Sequence, residues 1–417
     1  MIKALYGLRR SGQAWHDRLA DVLQAEGFTP SKAELDIWMR DAGDCYEYIA
    51  TYVDDLALAL KDPQAFVDIL MNKYKFKLKG TGEISFHLGM DFFRDEDSVL
   101  CVSPKKYLKK ILTWYERSFG ETPQKNIHSP LEKGDHPELD TTEILDQDGI
   151  SKYQSMIGQL QWAITITRLD IATAVMTMSS FRAAPRVGQL ERVKRIYAYL
   201  AKFQDATLRI RIGEPDYSDL PDPEYDWKYS VYGDSKEIIP TDAPEPKGRY
   251  VTTTSYVDAN LMHCKATGKS VTGILHFVNQ TPVEWYSKKA ATVETATYGS
   301  EFVAARTCVE QIIDLRNTLR YLGVPLREKA FMFGDNQSVV NSSMEVHAKL
   351  HKRHTILSFH RVREAIASGI VRFHFIPGAT NIADILSKHW VHAQVWPLLK
   401  TVLFWRGDTL LSNDKAE

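Results

Sequence analysis

Residues 46–60 read Tyr-Glu-Tyr-Ile-Ala-Thr-Tyr-Val-Asp-Asp-Leu-Ala-Leu-Ala-Leu, and the reading of the N-terminal half turns on them. Two β-prone runs flank an aspartate pair, and Leu56, Leu58 and Leu60 alternate with alanines. The pattern predicts a hairpin of strand, tight Asp-Asp turn and strand, with both faces partly covered. Two aspartates in a turn are ordinarily just good turn residues, because their short side chains bond nearby backbone N–H groups. The chemical alternative is that Asp54 and Asp55, adjacent carboxylates at a strand end, hold Mg2+ for phosphoryl transfer.

Working outward, Ala14 to Gly27 has helical periodicity, with Leu19, Val22 and Leu23 on one face and Gly27 as its stop. A helix over Pro63 to Tyr74 and a strand pair around His87 to Val102 follow. Ser151 to Gln204 is mostly helical, and its last helix sets Leu190, Val193, Ile196, Tyr197 and Leu200 on one face. Then the composition changes. Residues 214–248 hold ten Asp/Glu against three Lys, and six prolines, with little apolar periodicity. This predicts an acidic, exposed tether over 214–249 between two independently folding halves, although Trp227, Tyr229 and Tyr232 suggest local packing. The net charge of the whole chain is −1, so removing the −7 of this stretch leaves the remainder at +6. The average therefore hides a basic body that suits a polyanionic partner.

Beyond the acidic stretch come three strand-like runs (Tyr250 to Val257, Ser270 to Val278, Pro282 to Lys288) and a long helix from about Val293 to Leu322. A short strand at Lys329 to Phe333, a helix at Ser338, a basic helix over Thr355 to Ser368, a strand at Ile370 to Ile376 and a last helix from Asn381 complete it. Three strands, helix, strand, helix, strand, helix is a mixed α/β layer sandwich. Four acidic residues stand out by placement: Asp258 after the first strand, Glu301 in the long helix, Asp335 after the fourth strand, and Asp384 in the first turn of the last helix. Singly, each has a plain explanation as a turn residue, a solvated charge or a complement to a helix N-terminus.

The 417 residues are 44% apolar and 25% charged, ordinary for globular protein and enough for several cores. No apolar run reaches the length of a membrane span. Met1 to Tyr6 has neither signal-peptide nor transit-peptide character and reads like the interior of a domain that began upstream. Cys45, Cys101, Cys264 and Cys308 are scattered without C-x-x-C spacing, which argues against a zinc site or a disulfide framework and fits a reducing, cytoplasmic setting, with a virus-like particle or the nucleus as other locations.

In order and spacing, Leu5-Tyr6-Gly7-Leu8, Trp15, Gly27-Phe28, Asp36, Trp38-Met39 and Tyr52-Val53-Asp54-Asp55 resemble the palm of copia-type reverse transcriptases. Lys79-Gly80-Thr81-Gly82, His87-Leu88-Gly89, Ser103-Pro104-Lys105-Lys106-Tyr107, Tyr153, Gly158, Leu160, Thr167-Arg168 and Asp170-Ile171 continue the match. Ser255-Tyr256-Val257-Asp258, Thr267-Gly268-Lys269-Ser270, Trp285-Tyr286-Ser287-Lys288, Gly299-Ser300-Glu301, Gly334-Asp335-Asn336 and Asn381-Ile382-Ala383-Asp384 resemble the RNase H domain of the same Pol polyproteins. The resemblance implies an α/β and α+β multidomain chain: a partial palm (1–115), a helical thumb or connection (116–213), the acidic linker (214–249), an RNase H-like mixed-sheet α/β domain (250–393) and a C-terminal tail (394–417).

The resemblance also implies roles. Asp54 and Asp55 would be polymerase metal ligands, Tyr52 would lie beside the incoming nucleotide, and the turn at Leu88 and Gly89 would grip the primer on template RNA. The family's third palm aspartate and its fingers lie upstream of Met1, so polymerase activity is not expected of these residues alone. Asp258, Glu301, Asp335 and Asp384 would hold two Mg2+ (or Mn2+) ions about 4 Å apart and cut the RNA strand of an RNA–DNA hybrid. The basic run from His347 to Arg363 would face the hybrid's phosphates through Lys349, Lys352, Arg353, His354 and Arg361, the plainer alternative being a solvated helix. The family's histidine before the last aspartate is missing from Pro377-Gly378-Ala379-Thr380. A non-catalytic, nucleic-acid-binding remnant of a retroelement is the competing reading.

Overall fold

The computed structural model describes residues 11–221, 225–350 and 355–407 and divides the chain into two compact units. The Leu5-Tyr6-Gly7-Leu8 segment lies outside the described residues. Among the described residues no helix is long and apolar enough to cross a membrane.

The first unit comprises residues 1–87, 238–251 and 314–326. Helix α1 (Ser11–Ala25) buries Leu19, Val22 and Leu23, the face its periodicity predicts. Strands β1 (Thr29–Pro30), β2 (Ile37–Asp41), β3 (Tyr46–Tyr52) and β4 (Asp55–Ala59) form one antiparallel sheet in that order. Helix α2 (Pro63–Asn72) starts at a proline whose missing N–H costs nothing there, behind an Asp62 side chain that accepts from Ala65 N. Phe28, Trp38, Ile49, Phe66 and Leu70 join the α1 face in the core. β5 (Phe86–His87) ends this stretch.

The second unit comprises residues 88–237, 252–313 and 327–417. Its first part pairs β6 (Met90–Arg94), β7 (Leu100–Ser103) and β8 (Leu208–Arg209) antiparallel beside helices α3 (Lys105–Phe119), α4 (Gln147–Thr165), α5 (Ala172–Ser179) and α6 (Val187–Lys202). α6 buries Leu190, Val193, Ile196, Tyr197 and Leu200 as its spacing predicts. Arg168 is fully buried and donates from two nitrogens to Asp170, a pair whose rupture would cost about 3–5 kcal/mol. The second part is a five-stranded sheet of order β11-β10-β9-β12-β13, with β9 (Thr253–Asn260), β10 (Val271–Val278), β11 (Thr281–Lys289), β12 (Ala330–Gly334) and β13 (Val371–Phe375). β9, β10 and β11 pair antiparallel; β12 runs parallel to both β9 and β13. The part of helix α7 (Thr297–Tyr321) up to Ile313 belongs to this unit, with α8 (Gln337–Met344) and α9 (Ile356–Ala367). This is the mixed α/β and α+β architecture expected.

The acidic stretch departs from its expectation. Residues 214–237 group with the second unit and 238–251 with the first, so they are not a free tether between halves divided at 214–249. Tyr217 packs its ring on Phe331 and Phe333, Glu214 takes two hydrogen bonds from Arg327, and Trp227 is 8% exposed beneath the Arg363 guanidinium. Within the first unit, Lys247 pairs with Asp41, Lys32 with Asp242, and the Tyr46 hydroxyl donates to the Glu245 carbonyl. Buried aromatic area outweighs the proline content and charge that signalled exposure.

Two further boundaries differ. The division at 115 falls inside α3. The expected last helix is only α10 (Asp384–Ser387), and the expected tail contains α11 (His392–Val402), with Leu399, Leu403 and Phe404 buried in one core with Tyr153, Ile196, Leu275 and Leu386. Residues 116–213 thus share a core with Leu275 and the stretch 382–404.

Candidate metal centre

β9 is buried along almost its whole length, and Asp258 lies near its end, 1% exposed and paired in register with Gly273 of β10. The parallel partner β12 aligns Gly334 with Val257, so the next residue, Asp335, emerges beside Asp258. Glu301 reaches in from the second turn of α7 and is 7% exposed. One oxygen from each of Asp258, Glu301 and Asp335 lies within 4.8 Å of the other two. Asp384, the first residue of α10, joins through Lys388 one turn on, whose Nζ donates to Asp384 at 2.7 Å and to Asp258 at 3.1 Å. The Ser387 hydroxyl also donates to Asp258.

Backbone features make this convergence possible. A Cβ built at Gly273 would lie 2.7 Å from both the Ala383 oxygen and the Leu386 carbon and 2.8 Å from Ser387 N, so only glycine lets α10 lie this close to the sheet. Asn381, fully buried, donates to the Val257 carbonyl at 3.0 Å and accepts from Ala383 N at 3.1 Å, tying the loop to the strand residue before Asp258. Gly378, in the segment that lacks a histidine, sits against Asp335. Sequence reasoning missed Gly273, Lys388 and Ser387. For Lys388 there was a signal, the i,i+4 spacing from Asp384; for Gly273 there was none short of the fold.

Electrostatics follow from the crowding. Burial, then the charges of Asp258 and Asp335, push the Glu301 carboxyl well above the usual range. Burial and Asp258 raise Asp335, and the same two causes push Asp384 up to about 6. Burial pulls Lys388 down, but Asp258 and Asp384 outweigh it and hold its pKa above the ordinary lysine value. Hard oxygen donors that repel one another in a buried space fit a divalent cation, which would neutralise the charge they share. Asp258, Glu301 and Asp335 would hold it, with Asp384 reaching a second.

The polymerase-like residues form a different place. β3 and β4 close with Tyr52 opposite Asp55, so the turn is Val53-Asp54 rather than the aspartate pair. Val53 adopts φ 56°, a left-handed conformation unfavourable to a β-branched residue, and its carbonyl accepts from Trp15 Nε1 at 2.8 Å. Tyr52, Asp54 and Asp55 are exposed. Among the described residues, no third carboxylate, histidine or cysteine completes a metal-binding group with Asp54 and Asp55. Leu88 and Gly89, at φ 51° and 85°, form a left-handed turn in the second unit, where a Cβ on Gly89 would meet Trp162 Nε1 at 3.2 Å.

The basic run divides. Lys349 is exposed, and Arg361 pairs with Glu364. Arg363 is turned inward, donating to the Ser342, Glu345 and Val346 carbonyls and stacking on Trp227, so it anchors the acidic stretch rather than facing solvent. Lys352, Arg353 and His354 lie outside the described residues.

A five-stranded mixed sheet with converging carboxylates and a Tyr-Val-Asp-Asp hairpin thus lie in one chain. Residues 1–132 match the family described as reverse transcriptase (RNA-dependent DNA polymerase). Over 93% of its length the chain is 24% identical to the Pol polyprotein of transposon RE1 from Arabidopsis thaliana and 25% identical to that of transposon TNT 1-94 from Nicotiana tabacum. It is thus a relative of the copia-type retrotransposon Pol polyproteins. The chain spans about a quarter of the length of these curated relatives, 24% and 26%. Among solved structures, a foamy viral protease-reverse transcriptase in complex with double-stranded DNA aligns over 88% of this chain and 49% of its own at 10% identity (TM-score 0.40). LC11-RNase H1 in complex with an RNA/DNA hybrid aligns over 33% of this chain and 94% of its own at 15% identity (TM-score 0.27).

Proposed function

We propose that the carboxylate centre hydrolyses the RNA strand of RNA–DNA hybrids with Mg2+ or Mn2+. The observation that carries this reading is the approach of Asp258, Glu301 and Asp335 to within 4.8 Å from two neighbouring strands and a helix, with Asp384 bridged to them by Lys388. Bound metal would activate water and stabilise the leaving oxygen at the scissile phosphate. The chain's own part is to fix four carboxylates in a buried space, with Gly273 and Asn381 placing α10 and Lys388 offsetting the charge until substrate arrives. Exposed Lys349 lies in a segment suited to the hybrid's phosphates, and recognition would use 2′-hydroxyls and helix shape.

Asp335→Asn nearly preserves volume and removes the charge. In the full chain it is expected to abolish Mg2+-dependent cleavage of a labelled hybrid while leaving hybrid binding and the thermal transition in place. Parent-like cleavage by the variant, or none by a folded parent, would leave a non-catalytic binding remnant as the better reading. The full chain is the right material, since residues 250–393 alone would expose Leu275, Leu386 and Trp390 of the shared core. Primer extension is not expected of these residues by themselves: Asp54 and Asp55 supply two of the carboxylates that phosphoryl transfer requires, without the groups that orient a nucleotide.

A further inference from the structure

α5 precedes the acidic stretch in sequence, yet it braces the carboxylate centre from behind. Thr173 is 2% exposed; its hydroxyl donates to the Ile385 carbonyl at 3.0 Å and lies 3.3 Å from the donating Ser287 hydroxyl of β11. Ile385 directly follows Asp384, in a helix of only four residues. Such a helix satisfies few of its own carbonyls. The Asp384 carbonyl is taken by Lys388 N at 3.1 Å, whereas that of Ile385 is met from outside, by Thr173. One turn along α5, Thr177 lies within 3.3 Å of His389 Nε2 and 3.1 Å of His263 Nε2, so the chain just past Lys388 is gripped as well. Apolar contact follows the same line, with Ile385, Leu386 and Trp390 in one core with Ala172 and Val175. On its other side α10 rests on the bare backbone of Gly273.

We propose that Thr173 is a positioning residue for the metal centre: through the Ile385 carbonyl it fixes the short turn that carries Asp384 and Lys388, and so sets how tightly the centre holds a divalent cation. The inference rests on the reading of Asp258, Glu301, Asp335 and Asp384 as metal ligands. A partner beyond the ligands governs metal affinity because a carboxylate free to swing binds less well than one held in place, commonly by a factor of ten or more. Here that partner comes from a helix outside the carboxylate-bearing sheet, so the nuclease centre depends on the region between palm and acidic stretch.

The test is calorimetric titration of the full chain with Mn2+, alongside thermal denaturation in EDTA. Thr173→Val keeps the β-branched shape and removes the donor; it is expected to weaken Mn2+ binding about tenfold, and Thr173→Ser to restore it. Trp285→Phe serves as the control, because it removes the bond from Trp285 Nε1 to the Ile164 carbonyl of α4, 3.0 Å long, and so loosens another helix on the same strand β11 without touching a carbonyl of α10. It is expected to lower the melting temperature and leave Mn2+ affinity unchanged. Should Thr173→Val not fold, Ser287→Ala removes the neighbour that orients the Thr173 hydroxyl and is expected to weaken Mn2+ binding by a smaller factor. Parent-like affinity in the variant that folds, or weakening that merely tracks lost stability across all variants, overturns the inference. A parent chain that takes up no Mn2+ overturns the proposed nuclease function with it.

Discussion

Two places in this chain carry paired carboxylates, and they are built on opposite principles. The Tyr52–Asp55 hairpin displays its aspartates in the open, on a turn with Val53 held at φ 56°. The centre at Asp258 buries two of its acids, Asp258 at 1% and Glu301 at 7% exposure, and half-buries Asp335 and Asp384. Exposed carboxylates cost the fold little and hold a metal only when further ligands arrive. Buried ones oppose folding through desolvation and mutual repulsion, so the surrounding structure must enforce them. The contrast sets a displayed pair against an enforced cluster, with Gly273, Asn381 and Lys388 around four acids, and the enforced cluster is the one proposed above to bind metal.

The largest expected effect breaks or upholds that contrast directly. Asp335→Asn should eliminate hybrid cleavage, a fall of at least about a thousandfold, whereas Asp54→Asn should leave it at the parent rate in the same assay. Equal losses would mean the two places are not separable. Next is Gly273→Ala. Its Cβ would meet backbone atoms of α10 at 2.7–2.8 Å, which cannot give way as a flexible side-chain end can. We expect a loss of about 1–3 kcal/mol in denaturant unfolding and a severe loss of cleavage. A stable, fully active variant would show that α10 tolerates displacement.

The third concerns pH. Asp384 is pushed up to about 6 by burial and Asp258, so between the ordinary carboxylate range and about 6 the folded chain binds more protons than the unfolded one. Stability from this group therefore falls as pH rises through that window. In EDTA, the melting temperature of the parent should drop relative to that of Asp384→Asn between about pH 4 and 6, and Mg2+ should remove the difference. The comparison with the variant matters because His263 and His389, held neutral with values lowered to about 3 and about 4 chiefly by burial, act oppositely and lose stability as pH falls. Parallel pH profiles for parent and variant would count against the repulsion argument. The smallest effect is at the hairpin, where Val53→Gly should raise stability by at most about 1 kcal/mol, release of strain being partly offset by a more flexible unfolded chain. A destabilised variant would show that the valine side chain contributes more than its backbone conformation costs.

Much of this was legible in the sequence. Asp258 and Asp335 stand at the ends of strand-like runs and Glu301 sits on a long helix, and it was the resemblance to RNase H domains, not their placement singly, that implied that they meet. Asp384 was legible as an acid in a first turn, but not its bridge to Asp258, which depends on Lys388 folding back across a helix of four residues. Gly273 and Thr173 act through backbone carbonyls and close approach, which leave no periodicity to read. The stretch 214–249 misled because charge and proline speak of exposure, while Tyr217, Trp227 and Tyr232 decided where it lies. Arg363 misled likewise: a cation in a basic run proved to be a buried hub for three carbonyls.

The packing of α11 bears on how the chain is made. Leu399, Leu403 and Phe404 fill the same core as Tyr153 and Ile196, and Thr207 N donates to the Leu403 carbonyl. During synthesis, which delivers residues from the N-terminus, that core stays open for some two hundred residues after its first walls have left the ribosome. Buried pieces such as Arg168, whose guanidinium lies 5.8 Å from the Phe404 ring centre, wait uncovered throughout. Closure of this core is therefore expected only after α11 has emerged, and until then its apolar surface is the kind that promotes aggregation.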